Sequence, residues 1–384
     1  MASGEDPVAR AVALHEEAIT ARLEGRYHDG ERLCREAVTI LEATEGPRSA
    51  DLANALIEHG RLLERLDRLP EAEAVSGRAV AILAAIAPSI LEPPVRPPRE
   101  DSGLAEDDAA LVEGELRRLL LSGELVLAGV VRAAGRLGDA EALARRALAR
   151  AEAAFPDGDH LVAEALNVLG MIHKFQGRYA EAQPLYQRAL ALAGALGDVE
   201  AEAALLHNLG GLCHARGDFA GGEPVARRAV ELREAYLGAD HPTTAADREA
   251  WGALLEGLGR VTEAEQAYRA SLAAFEAHQG PQSLEAASSL AALGSVQHAQ
   301  GRLDEALASY RRALAIRQAR LPPQHFDLAL TMNNLAMLLD DRGARDEARQ
   351  LLERALAIFT GSLGPAHPHT QAVRKNAEAL AHQR

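Results

Sequence analysis

Small side chains set the rhythm of this chain. Gly or Ala recurs at residues 18, 60, 128, 170, 210, 252, 294 and 336, and again at 37, 79, 147, 189, 229, 313 and 355, with Ser271 completing the second series. Seven residues after each member of the first series comes a turn signature, Gly-Arg-large-x-Glu-Ala. It reads G-R-Y-A-E-A at 177–182, G-R-V-T-E-A at 259–264, G-R-L-D-E-A at 301–306 and G-A-R-D-E-A at 343–348, with weaker copies at 25, 67, 135 and 217. Five of the seven intervals between copies are 42 residues, and the longest, 68, is 42 plus 26. The gaps suit helical faces rather than strands. Larger residues, Tyr186, Tyr268, Tyr310 and Leu352, fall between the small ones. The Gly opening seven of these eight copies supplies the helix stop of a tight αα-turn. The pattern predicts eight helix pairs.

Composition adds exclusions. The chain is 48% apolar and 25% charged, as in a folded protein, and 41 basic against 56 acidic residues leave −15. Phosphate neutralisation needs a basic surface, so no nucleic-acid partner is expected, nor an anionic membrane. Two cysteines, Cys34 and Cys213, form no disulfide framework and read as small buried residues in a reducing, cytoplasmic compartment. The N-terminus lacks the basic and apolar regions of a secretory signal. Only Lys174 and Lys375 are lysines, and so strong a bias to Arg and Ala suggests a GC-rich, bacterial genome.

The repeat resembles the tetratricopeptide repeat: small residues at its eighth, twentieth and twenty-seventh positions and an aromatic at the twenty-fourth. A 42-residue period with turns such as L-G-A-D-H-P at 237–242 and L-G-P-A-H-P at 363–368 is similar to the kinesin light chain type. About six residues precede the first helix, so that family's motor-binding coiled coil, and with it a motor role, is not expected here. The resemblance implies an all-α fold, a right-handed α-solenoid of about eight repeats with a C-terminal capping helix. Repeats one and two occupy 7–87, a Pro-rich insertion and the start of an extended helix 88–118, repeats three to eight 119–368, and the cap 369–384. The prolines at 88, 93, 94, 97 and 98 exclude helix across the insertion. It reads as a surface loop, a tethered ligand for a proline-recognising partner, or a flap over the concave face.

Catalytic motifs are missing. There is no phosphate-binding loop, no H-E-x-x-H and no C-x-x-C. His207 and His214 lie two turns apart on one helix, but nothing nearby has metal-ligand spacing, so neither metal nor other cofactor is expected. His241 and His367 precede prolines at helix starts, which explains their spacing. What the resemblance does carry over is a groove lined by the first helix of each pair. Its candidate peptide-binding residues are Asn167, Met171, Lys174, Phe175, His207, His214, Glu249, Glu256, His298, Asn333, Met337 and Asp340. The expected function is a non-enzymatic scaffold holding a peptide segment of a protein partner. The alternative is a regulator whose superhelix responds to a small molecule or signal peptide.

Overall fold

A computed structural model describes residues 6–91, 104–156, 158–365 and 367–382. Among them lie seventeen α-helices, one 3-10 turn (Pro88–Leu91) and no strand. The chain divides into two compact units, Met1–Leu212 and Cys213–Arg384.

In the first unit the helices pair as α1 (Pro7–Leu23) with α2 (Tyr27–Thr44), α3 (Ala50–Arg65) with α4 (Leu69–Ile86), α5 (Leu104–Ala133) with α6 (Leu137–Ala154), and α7 (His160–Phe175) with α8 (Tyr179–Leu196). The division falls inside α9 (Val199–Ala215). The second unit holds α10 (Phe219–Leu237), then α11 (Pro242–Gly257) with α12 (Val261–Gln279), α13 (Leu284–Ala299) with α14 (Leu303–Arg320), α15 (Phe326–Asp341) with α16 (Arg345–Leu363), and α17 (Pro368–His382). These are the helix pairs of a tetratricopeptide-type α-solenoid. The proline-rich stretch lies, from 92 to 103, outside the described residues. Before it, the carbonyls of Ser89 and Ile90 accept from the Arg117 guanidinium on the 30-residue α5.

The small–large rhythm becomes a contact. Tyr186, Tyr268 and Tyr310 are almost fully buried, each pressed on the glycine of the preceding helix. A Cβ at Gly170, Gly252 or Gly294 would come within 2.8, 2.7 and 2.8 Å of the respective ring, closer than any side chain tolerates. Each pair turns through a residue of positive φ, such as Gly177 at 74°. The second turn uses Asp67 at 57° instead, a residue that tolerates the left-handed region better than most.

The arginine after the turn glycine also has a job. At the N-cap of α8 the Arg178 guanidinium grips Glu181 of its own repeat and, at 2.7 Å, Glu141 of the repeat before. Arg68 does the same with Glu71 and Glu31, Arg260 with Glu263 and Glu223, and Arg302 with Glu305 and Glu265. Burial pushes the Glu141 carboxyl up, but hydrogen bonds from Gln176, Arg178 and His173 outweigh it and bring it to about 2. Buried His173 is thus part of a joint between repeats.

Candidate peptide-binding face

In the first unit the expected groove residues sit on α7 and α9. Asn167 accepts a hydrogen bond at 2.8 Å from Asn208 one repeat on, so part of its amide is already committed. Met171 is half-buried against the core, whereas Phe175 is 57% exposed. Lys174 is half-buried, and among the described residues no carboxylate lies within ion-pair distance of its ammonium. Burial, with the neighbouring Arg132, holds that ammonium below the ordinary lysine value. Its nitrogen is 5.7 Å from the Phe175 ring centre, and the Arg132 guanidinium is 5.1 Å from the same ring. A Cβ on Gly211 would lie 3.3 Å from the Lys174 nitrogen, so this glycine leaves room for it. His207 is half-buried on α9.

In the second unit most expected groove residues are engaged with neighbours. His214 is exposed and packs edge-on against Phe219, 5.5 Å between centres. Glu256 accepts from the Tyr268 hydroxyl at 3.0 Å and from Ser295 at 2.7 Å. Glu249 accepts from Ser289 at 2.8 Å, and burial pushes its carboxyl up to about 7 despite that bond. His298 meets Asp341 at 2.7 Å, while Asp340 lies 3.5 Å from Arg345. Asn333 accepts from Asn376 at 2.9 Å and donates to Asn334, and Met337 is half-buried. A cleft of about 370 Å³ opens over Ala246, Ala250 and Ala253, with Phe275 in its wall and Glu249, Glu285 and Ser288 around it.

Sequence reading missed three features. His241, His325 and His367 are helix caps: the Nδ1 of each accepts the backbone N–H two residues on, at 3.2 Å. This fixes the proton on Nε2 in the neutral ring. Cys34 is buried as expected, but Cys213 is only half-buried. Arg233 and Arg317 are buried cations, which periodicity alone does not announce. Among the described residues no three of His, Cys, Asp and Glu come together to hold a metal ion, and no helix is long and apolar enough to cross a membrane.

Comparison with known proteins agrees with the geometry. A model of the tetratricopeptide repeat matches residues 9–85, 120–195, 201–277, 246–319 and 285–361. No curated protein matches in sequence. Among solved structures the chain resembles BtubC (BKLC) from P. vanneervenii, at 24% identity over 60% of this chain and 94% of that one, TM-score 0.51. It resembles a Rap protein complexed with Competence and Sporulation Factor at 16% identity over 98% and 100%, TM-score 0.57. A third is a signal-transduction ATPase with a tetratricopeptide-repeat sensor from Pyrococcus horikoshii, at 11% identity over 91% and 49%, TM-score 0.53. These likenesses are of fold.

Proposed function

The chain belongs to the tetratricopeptide-repeat family, and from that premise we propose that it is a non-enzymatic adaptor holding an extended peptide segment of a partner protein. The observation behind this reading is the α7 face. Asn167, Lys174 and exposed Phe175 stand on one helix, with Met171 between them and a glycine opposite. An exposed aromatic beside an amide and an unpaired ammonium offers a peptide apolar contact, backbone hydrogen bonds and charge together. Glu249, Glu256, His298, Asn333, Met337 and Asp340 supply a second stretch of the same kind in the other unit. There internal hydroxyl partners leave fewer groups free for a guest.

Selection of peptides from a displayed random library against the whole chain tests the reading. Selected peptides should lose about tenfold or more in affinity with Phe175→Ala and with Asn167→Ala, the cost of an interface anchor of 1.4 kcal/mol or more. Peptides that bind both variants as well as the parent would overturn it. A second reading, a regulator whose conformation answers to a signal molecule, has one observation behind it. The Rap protein that this chain matches end to end in fold was solved holding Competence and Sporulation Factor. It predicts that a bound ligand changes the small-angle scattering profile, whereas an adaptor's profile gains only the ligand.

A further inference from the structure

Three tyrosines occupy one position in three repeats, and only one hydroxyl is left over. Tyr268 donates to Glu256 at 3.0 Å, and the Tyr310 hydroxyl has Ser295 beside it. The Tyr186 hydroxyl is buried with no partner. The sequence says why. Three residues before the turn glycine, where repeat six has Glu256, repeat four has Lys174; six before it, where repeat seven has Ser295, repeat four has Met171. The ring seats are alike, with Tyr186 on Gly170 as Tyr268 is on Gly252. Gly170 and Lys174 are one turn apart on α7, so the hydroxyl emerges where a carboxylate stands in repeat six.

The surroundings are short of negative charge. Arg132, one repeat earlier, is close enough for its charge to act on the Tyr186 hydroxyl and on Lys174. Arg132 has Glu64 at 3.5 Å, but its buried Nε has no partner. Two cations and one carboxylate leave a net positive site holding two orphaned donors, the Tyr186 O–H and the Arg132 Nε–H. Buried unpaired donors of this kind point to a group the protein itself does not carry.

Resting on the reading of α7 as a ligand face, we propose that Lys174, Arg132 and Tyr186 form a subsite for an oxyanion, a carboxylate or phosphate group borne by the bound peptide. The guest supplies in repeat four what Glu256 supplies internally in repeat six. Phe175, mostly exposed, walls the subsite on its apolar side and favours an acidic or phosphorylated residue next to an apolar one.

Because the chain has only two lysines, lysine-selective isotope labelling gives two side-chain NMR signals, Lys174 and the internal control Lys375. The full-length protein is titrated with inorganic phosphate, with acetyl-Ala-Asp-Ala-amide and with its Asn counterpart. Saturable movement of the Lys174 signal with either anionic probe, without the same movement of Lys375 or with the Asn peptide, is the expected result. Tyr186→Phe should weaken that response about tenfold, the usual loss of one hydrogen bond to a charged group. Movement with phosphate alone, when displayed peptides fail to bind, would overturn the peptide-borne form. No movement with either probe, while displayed peptides still need Asn167 and Phe175, would overturn the subsite and leave the adaptor reading standing. Lys174→Glu gives an independent readout. It should raise the melting temperature more in the parent than in a Tyr186→Phe background, where only the Arg132 charge answers the new carboxylate, and an equal rise in both would overturn the facing of these two side chains.

Discussion

The two units treat one buried position in opposite ways. Sixteen residues after each turn residue, the unit Met1–Leu212 has Leu41, Leu83, Ala151 and Ala193, all buried and aliphatic. At the same place the unit Cys213–Arg384 has Arg233, Phe275, Arg317 and Phe359, also buried. Arg233 is answered by the buried carboxylate of Asp247 at 3.0 Å. Two repeat lengths later Arg317 meets Thr331 where Asp247 would be, together with the Asp327 carbonyl and Ser288. Burial holds Arg317 below the ordinary guanidinium value, and the charges of Asp327 and Glu249 nearby offset this only in part. An aliphatic seam tolerates exchange of like for like, whereas a buried cation is tied to particular partners. The same backbone period therefore supports a forgiving core in one unit and a demanding one in the other.

The sharpest break in that comparison is Asp247→Ala, which strands the Arg233 charge and should cost about 3–5 kcal/mol in denaturant unfolding. Thr331→Val at the matching place removes a neutral partner, and about 1–3 kcal/mol is expected there; equal costs at both sites would erase the distinction. Next comes the tyrosine pair. Tyr268→Phe removes a hydrogen bond to a carboxylate and should cost about 1.5–3 kcal/mol, while Tyr186→Phe should be near neutral in the unliganded chain, having no bond to lose. Thermal melts of the two variants side by side decide it.

A smaller effect concerns Glu249, whose counterpart in the first unit is the non-titrating Asn167. With its carboxyl raised from 4.5 to about 7, the folded state holds a proton that the unfolded chain has released. Glu249 thus withholds no stability below about pH 4.5, and its penalty grows as pH rises through 7. Glu249→Gln should flatten that slope and gain about 1 kcal/mol at pH 8, a figure discounted for partial exposure. Unfolding curves between pH 4 and 8 that stay parallel to the parent would remove this titration from the cleft. The smallest change expected is at exposed Arg311–Glu347, where Arg311→Gln should shift stability by no more than about 0.5 kcal/mol.

The helix pairs were legible because their cause is local. A glycine stop, a small residue seven before it and a tyrosine nine after it recur in the sequence, and the structure puts that tyrosine on that glycine. Long-range polar contacts were not legible. The Arg178–Glu141 pair joins residues 37 apart, which no helical spacing predicts. The signature glutamate is the Arg's partner within the repeat, as Glu181 is for Arg178. Candidate groove residues came from repeat position, and position does not say what stands opposite. Glu256 is held by Tyr268 and Ser295, whereas Lys174 at the same repeat position meets no carboxylate, because the residues brought beside it differ.

The arginine between repeats has a further consequence, for how this chain can change length. Six of the eight periods carry a plug, the Arg directly after the turn residue, and five carry a socket, the Glu six after that turn residue. They meet as Arg68–Glu31, Arg136–Glu73, Arg178–Glu141, Arg260–Glu223 and Arg302–Glu265. Duplicating a whole period that carries both, as those opening at 25, 67, 135 and 259 do, leaves plug and socket matched at the new junction, while an arbitrary cut inside a helix misaligns them. The joint between the second and third repeats illustrates the rule. Arg136 reaches Glu73 at 2.5 Å across 63 residues instead of 37, and the difference, 63 − 37 = 26, is the excess in the interval there. The extra chain was accepted at a place that left the joint closed. Growth of this protein is accordingly quantised within repeats and free only in the connection between them.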